Sequence, residues 1–156
     1  MKGAETRPRA GREDLRAKVM EVGEALGLRV EAEYRLGDHS YDVALFSPDK
    51  LFPAAVAKIS VGGDPSKDLA SLEYAFSRYK LIPIYVAGSE DDARRAESEI
   101  QSSFREIKDE IILLRAGELE DLRRVLRSEA AKKALRALLC SLQLSARRDS
   151  MHPITG

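Results

Sequence analysis

The chain lacks tryptophan and holds one cysteine and two histidines in 156 residues. A single thiol, Cys140, excludes an internal disulfide and any cysteine-cluster zinc site. No apolar stretch approaches the roughly 20 residues that a bilayer requires, so no membrane partner is expected. The opening residues Met1 to Arg9 lack the apolar segment of a secretory signal, which with the lone cysteine gives the expectation of a reducing, cytoplasmic setting. An excess of charge of either sign is also missing: Lys plus Arg and Asp plus Glu are 26 each, with a pI near 6.8. That balance counts against a protein coated in positive charge, but it leaves room for one basic groove.

What is present is the ordinary material of one domain, 44% hydrophobic and 33% charged, long enough for a substantial core. Residues 1–11 are polar, with Pro8 and Gly11, and read as a flexible arm. From Glu13 a helix is expected, because Leu15, Val19, Val22 and Leu26 form one stripe and Gly27 suits its C-terminal end. Leu28 to Leu36 alternates apolar and charged residues, as a strand wet on one face does. Gly37 and Asp38 turn the chain into a more buried strand over Tyr41–Phe46, and a turn at residues 47–50 leads to a third over Ala54–Val61. Asp64 and Pro65 then open a helix to about Leu81. A fourth strand covers Ile82–Ala87, Ser89 caps a charged helix to about Lys108, and Ile111–Arg115 is a fifth strand. Residues from Glu118 to about Leu144 are mostly helical. The expected class is α/β: a single domain over residues 12–146, a mixed central sheet flanked by helices, with an added C-terminal strand and long helix, and a flexible tail over 147–156.

Two residues break the burial pattern. Asp42 lies in one apolar strand and Lys58 in the next, and a lone carboxylate and a lone ammonium in such places are costly unless paired, hydrated or used. Adjacent strands run about 4.8 Å apart, so an acid on one and an acid-x-Lys on the next converge on a single point. Clustered carboxylates of that kind hold Mg²⁺ for phosphodiester cleavage, with the lysine beside the attacking water or the developing charge.

With this order of elements around them, Asp42 and Lys58 resemble the PD-(D/E)xK restriction-endonuclease-like superfamily, and the simplicity of the chain is most similar to its archaeal Holliday junction resolvases. The resemblance covers about residues 12–88. It implies a restriction-endonuclease-like fold, Asp42 as the metal-binding strand aspartate and Lys58 as the catalytic lysine, whether active or a remnant. Two departures stand out. Val56 occupies the position of the second acid, and valine cannot ligate a metal. Of the first-helix acids, Glu13, Glu21 and Glu24 all fall off the inward stripe, while Arg12 lies nearer the sheet-facing side. A migrated carboxylate, from Asp38, Asp64 or Asp68, is the remaining route to a complete metal site.

Four smaller features complete the reading. Asp38, His39 and Ser40 read as a surface turn, with His39 a candidate general base near Asp42. The run Gly62–Lys67 is similar to a phosphate-binding loop but lacks the Gly-Lys-Ser/Thr ending of a nucleotide site. Cys140 is expected in the core among leucines. The leucines from Leu119 to Leu126 are assigned to the core, and those from Leu135 to Leu142 either to the core or to a dimer seam.

The leading expectation is therefore a nuclease-like nucleic-acid-binding or complex-forming protein, a catalytically impaired paralogue of a junction resolvase. DNA, branched or duplex, is its expected partner, held at phosphates by Arg12, Arg16, Lys67 and Lys58, with a second copy or another protein as a further partner. The alternatives are an active Mg²⁺-dependent endodeoxyribonuclease, or a structural subunit of a larger nuclease assembly such as the non-catalytic subunits of archaeal transfer-RNA splicing endonucleases.

Overall fold

The computed structural model describes residues 11–150. The rest of the expected arm and residues 151–156 of the expected tail lie outside it. Helix α1 (Arg12–Ala25) begins with Glu13 and Asp14 in its first turn, where carboxylates favour the positive end of the helix dipole. It ends as its glycine foretold. Gly27 sits at φ +86°, the Gly27 amide returns to the Glu24 carbonyl, and the Leu28 amide returns to the Gly23 carbonyl at 2.9 Å, a Schellman closure.

Strands β1 (Arg29–Leu36), β2 (His39–Phe46) and β3 (Ala55–Ser60) form an antiparallel meander. Helix α2 (Ser66–Tyr79) then carries the chain back to β4 (Ile82–Ala87), which lies parallel to β3. Helix α3 (Glu90–Ser103) and a 3₁₀ turn (Arg105–Ile107) lead to β5 (Ile112–Arg115), parallel to β4. Two helices follow, α4 (Ala116–Leu126) and α5 (Glu129–Ser150). The sheet runs in simple order from β1 to β5.

The sheet is mixed because of its connections. Hairpin turns reverse the first three strands, whereas each crossover helix returns the chain in the same direction. The two crossovers cover one face, where Leu69, Leu72 and Ala75 of α2 and Ala93, Ala96 and Ile100 of α3 pack on Val56 and Tyr85. Helices α1 and α4 cover the other, through Leu15, Val19 and Leu119 on Val43, Ala57, Ile59 and Val86. Three layers result, helices on both sides of one sheet.

The boundaries differ from expectation where local capping was missed. The long C-terminal helix is two helices, because Ser128 breaks the chain and its hydroxyl accepts the Ala131 amide at 3.2 Å as the cap of α5. Helix α5 continues to Ser150, past the helix end expected near Leu144. Helix α3 stops at Ser103 rather than near Lys108, tightening into the 3₁₀ turn that buries Ile107. Cys140 is exposed, not in the core, because among the described residues α5 packs mainly on α4. Leu119 and Leu126 are buried as expected, while Val125 and Leu138 are exposed. The side chains of Leu139 and Leu142 lie outside the described residues. Among the described residues no helix is long and apolar enough to cross a membrane.

Candidate functional site

Asp42 marks an irregularity in β2. A strand alternates faces, so Tyr41 and Val43 should share one. Instead Tyr41 joins Ala44 and Phe46 in the core under α2 and α3, while Val43 lies in the opposite core. Across the ladder, Glu33 of β1 stands at φ +54°, a left-handed conformation that side chains other than glycine rarely adopt. The β1–β2 register resumes unshifted on both sides, Ala32 with Val43 and Tyr34 with Tyr41. The recorded register of β2 with β3 ends at Val43 with Ala57, and the Asp42 side chain takes over from there. Its Oδ2 accepts the Ile59 amide at 2.6 Å.

The other claim on Asp42 comes from α1. Arg12 Nη1 donates to Oδ1 at 3.0 Å and to Oδ2 at 3.1 Å. The carboxylate is only 13% exposed, so both its oxygens are engaged in a nearly closed setting. Lys58 has different partners: its Nζ donates to the Ser40 carbonyl at 3.0 Å and lies 3.5 Å from Asp68 Oδ1. Asp68 enters from the first turns of α2. Burial raises its carboxyl above the ordinary range; Lys58 and then Arg12 pull it back, and the Asp42 charge pushes it up again. The four groups therefore form one electrostatic unit. Asp42 and Lys58 share a cleft of about 260 Å³ with Glu33, Arg35, Ser40 and Tyr41. Lys58 also borders a second cleft of about 450 Å³, with Asp38, His39, Lys67, Asp68 and Ser71. Lys58 and Ser40 are common to both.

The expected residues have separate fates. Arg12 and Arg16, assigned to DNA, are held in ion pairs: Arg12 on Asp42, and Arg16 on Glu33 at 2.9 Å and Glu13 at 2.7 Å. Lys67 lines the larger cleft with no ion-pair partner among the described residues. Arg35, which the sequence reading passed over, is equally unpaired and lines the smaller one. Its signal was available, since it is a charged position of an alternating strand next to the turn that feeds β2. Of the three migrated-acid candidates, Asp68 reaches Lys58 and Asp38 only lines the outer cleft. Asp64 is occupied locally, accepting the Ser66 amide at 3.0 Å and the Ser66 hydroxyl at 2.9 Å, which holds its carboxyl below the usual range.

His39 is not a turn residue. It opens β2, its Nδ1 lies 2.9 Å from Ser71 Oγ, and its ring stacks on Tyr74 at 4.3 Å. The glycine loop is not an open phosphate cradle either. The Gly62 amide donates to both oxygens of Asp92, at 3.1 and 3.2 Å. Asp92 is buried in the first turn of α3 and also takes Arg95 at 2.6 Å. Asp92 was not among the expected residues, although Ser89-x-x-Asp92 has the spacing of a capping box; the Ser89 hydroxyl accepts the Asp92 amide at 3.1 Å.

The residues present do not fit a Mg²⁺ site. Val56, at the position of the second acid, is fully buried against α2. Arg12 and the Ile59 amide take the oxygens of Asp42, and among the described residues no three His, Cys, Asp or Glu side chains are grouped to hold a metal. The arrangement can instead present cations. With Asp42, Asp68 and Glu33 each neutralised by a partner, the charges lining the two clefts that have no ion-pair partner among the described residues are Arg35, Lys67 and Asp38.

Comparison of the chain with protein-family models, curated proteins and solved structures finds no match in any of the three.

Proposed function

We propose that this protein is a nuclease-like nucleic-acid-binding domain that grips DNA phosphates at the β2–β3 rim without cutting them, a catalytically impaired relative of junction resolvases with a restriction-endonuclease-like fold. One observation carries the reading: Arg12 closes on both oxygens of the strand aspartate. A guanidinium there supplies the positive charge that a divalent ion supplies in a nuclease, but it offers no coordination position for water or phosphate. The helix and strand order, the resemblance at Asp42 and Lys58, and the double cleft that Lys58 bridges support the same reading. Arg35 and Lys67 are the phosphate contacts, with Lys58 between them as a shared, half-neutralised cation. Such contacts give affinity and register without reading sequence.

Retention of a four-way junction and of a duplex in gel shift at rising salt tests this. Each phosphate contact removed lowers the slope of log affinity against log salt by about one. Arg35→Ala and Lys67→Ala each produce that decrease if the reading holds. Absence of any retention at low salt would remove the nucleic-acid partner.

A further inference from the structure

Aromatic residues are scarce in this chain, with four phenylalanines, five tyrosines and two histidines. Four of these rings form one continuous row. His39 stacks on Tyr74 at 4.3 Å and 26°, Tyr74 meets Tyr79 edge-on at 6.0 Å, and Tyr79 meets Phe52 at 5.3 Å and 51°. The row starts inside the larger cleft, where His39 stands with Lys58 and Lys67. It then follows the flank of α2 to the loop between β2 and β3. From Lys67 to Tyr79 that flank measures about 18 Å at 1.5 Å per residue. Its far end is open: Phe52 is 44% exposed, Tyr79 38%, and the neighbouring Leu51 95%.

We propose that this row is a stacking track for an unpaired stretch of nucleic acid leaving the phosphate cleft. The proposal rests on the nucleic-acid reading above and adds to it the substrate form, a duplex with a single-stranded branch or tail. Bases present a π-face regardless of sequence, so exposed aromatic rings beside a cationic groove serve as platforms for single strands. Charge favours this occupant over a protein. Lys67 lies at the head of the row and Arg78 and Lys80 at its foot, none with a carboxylate partner among the described residues. Lys80 instead lies over the Phe76 ring at 5.3 Å. Asp38 is the acid that acts on Tyr74 at the upper end.

The test is fluorescence anisotropy with a blunt duplex and the same duplex carrying a single-stranded tail, using wild type and the Phe52→Ala/Tyr79→Ala double variant. Wild type binds the tailed duplex about tenfold more tightly than the blunt one, in line with the strength of base–aromatic stacking. The double variant loses that margin and binds the blunt duplex as wild type does. Phe52→Leu/Tyr79→Leu, which keeps apolar bulk but no ring, also loses the margin and covers the case in which the alanine variant fails to fold. Blunt duplex bound with no tail-dependent margin, or a margin that survives in the leucine variant, overturns the track and leaves the phosphate cleft standing. A change in oligomeric state with the margin intact would assign the row to a protein contact and overturn it as well. Failure of wild type to bind either DNA removes the underlying reading and the track together.

Discussion

The Asp42 carboxylate accepts the Ile59 amide at 2.6 Å across the point where the register of β2 and β3 ends. Ile59 is fully buried, so this side chain serves as the last rung of the ladder as well as the partner of Arg12. Asp42→Ala leaves a buried donor and a guanidinium without partners and costs about 2–4 kcal/mol, the range for an unsatisfied buried donor plus a charged hydrogen bond. Asp42→Asn keeps an acceptor for the amide and recovers roughly half of that loss. Urea denaturation of the two variants distinguishes this double role from a purely electrostatic one, in which Asn would be as damaging as Ala.

Asp68 makes stability depend on pH in a particular direction. Burial raises its folded-state carboxyl above the unfolded value, so the folded state holds the proton more tightly. This group's favourable contribution is complete below the ordinary carboxylate value and is lost as pH rises through the raised one. Asp68→Asn removes that loss, and its stability relative to wild type improves as pH rises from the ordinary carboxylate range through the raised value. Denaturation midpoints across that window check the sign. Lys58→Met takes away the cation that opposes the shift, and the Asp68 carboxyl resonance titrates at higher pH.

Helix α1, which carries Arg12 at its N-terminus, lies close on the sheet at residue 23, where there is no side chain. A Cβ at Gly23 would meet Val30 Cγ1 at 2.7 Å and Leu45 Cδ2 at 2.8 Å. Leu45 can turn away, but the β-branched Val30 is stiff. Gly23→Ala destabilises the fold by about 1–2 kcal/mol despite the better helix propensity of alanine. It also weakens the Arg12–Asp42 pair, which a double-mutant cycle with Arg12→Met measures.

Much of this arrangement was legible in the residues. Gly27 marked the end of α1, Ser89 the start of α3, and the apolar runs marked five strands whose order makes a mixed sheet. Asp42 and Lys58 were legible as misfits because burial penalises an unpaired charge. Their partners were not, since Arg12 lies 30 residues from Asp42 and Asp68 lies ten from Lys58 on another element. Periodicity reports which face a residue takes, but not which of several charges on that face closes the contact. The left-handed Glu33 was hidden for a related reason: the alternation of Leu28 to Leu36 reads as an uninterrupted strand, and nothing local in a glutamate announces a positive φ. The ring row depended on tertiary placement entirely.

The central claim is that the strand aspartate is committed to arginine, so this rim binds nucleic acid and leaves it whole. A single reaction tests it: an end-labelled four-way junction is incubated with excess protein at low salt in Mg²⁺ and then in Mn²⁺, and each sample is split between a native and a denaturing gel. The account predicts a retained complex on the native gel and intact strands on the denaturing one. Metal-dependent cut strands that vanish with Asp42→Ala and Lys58→Ala would contradict it.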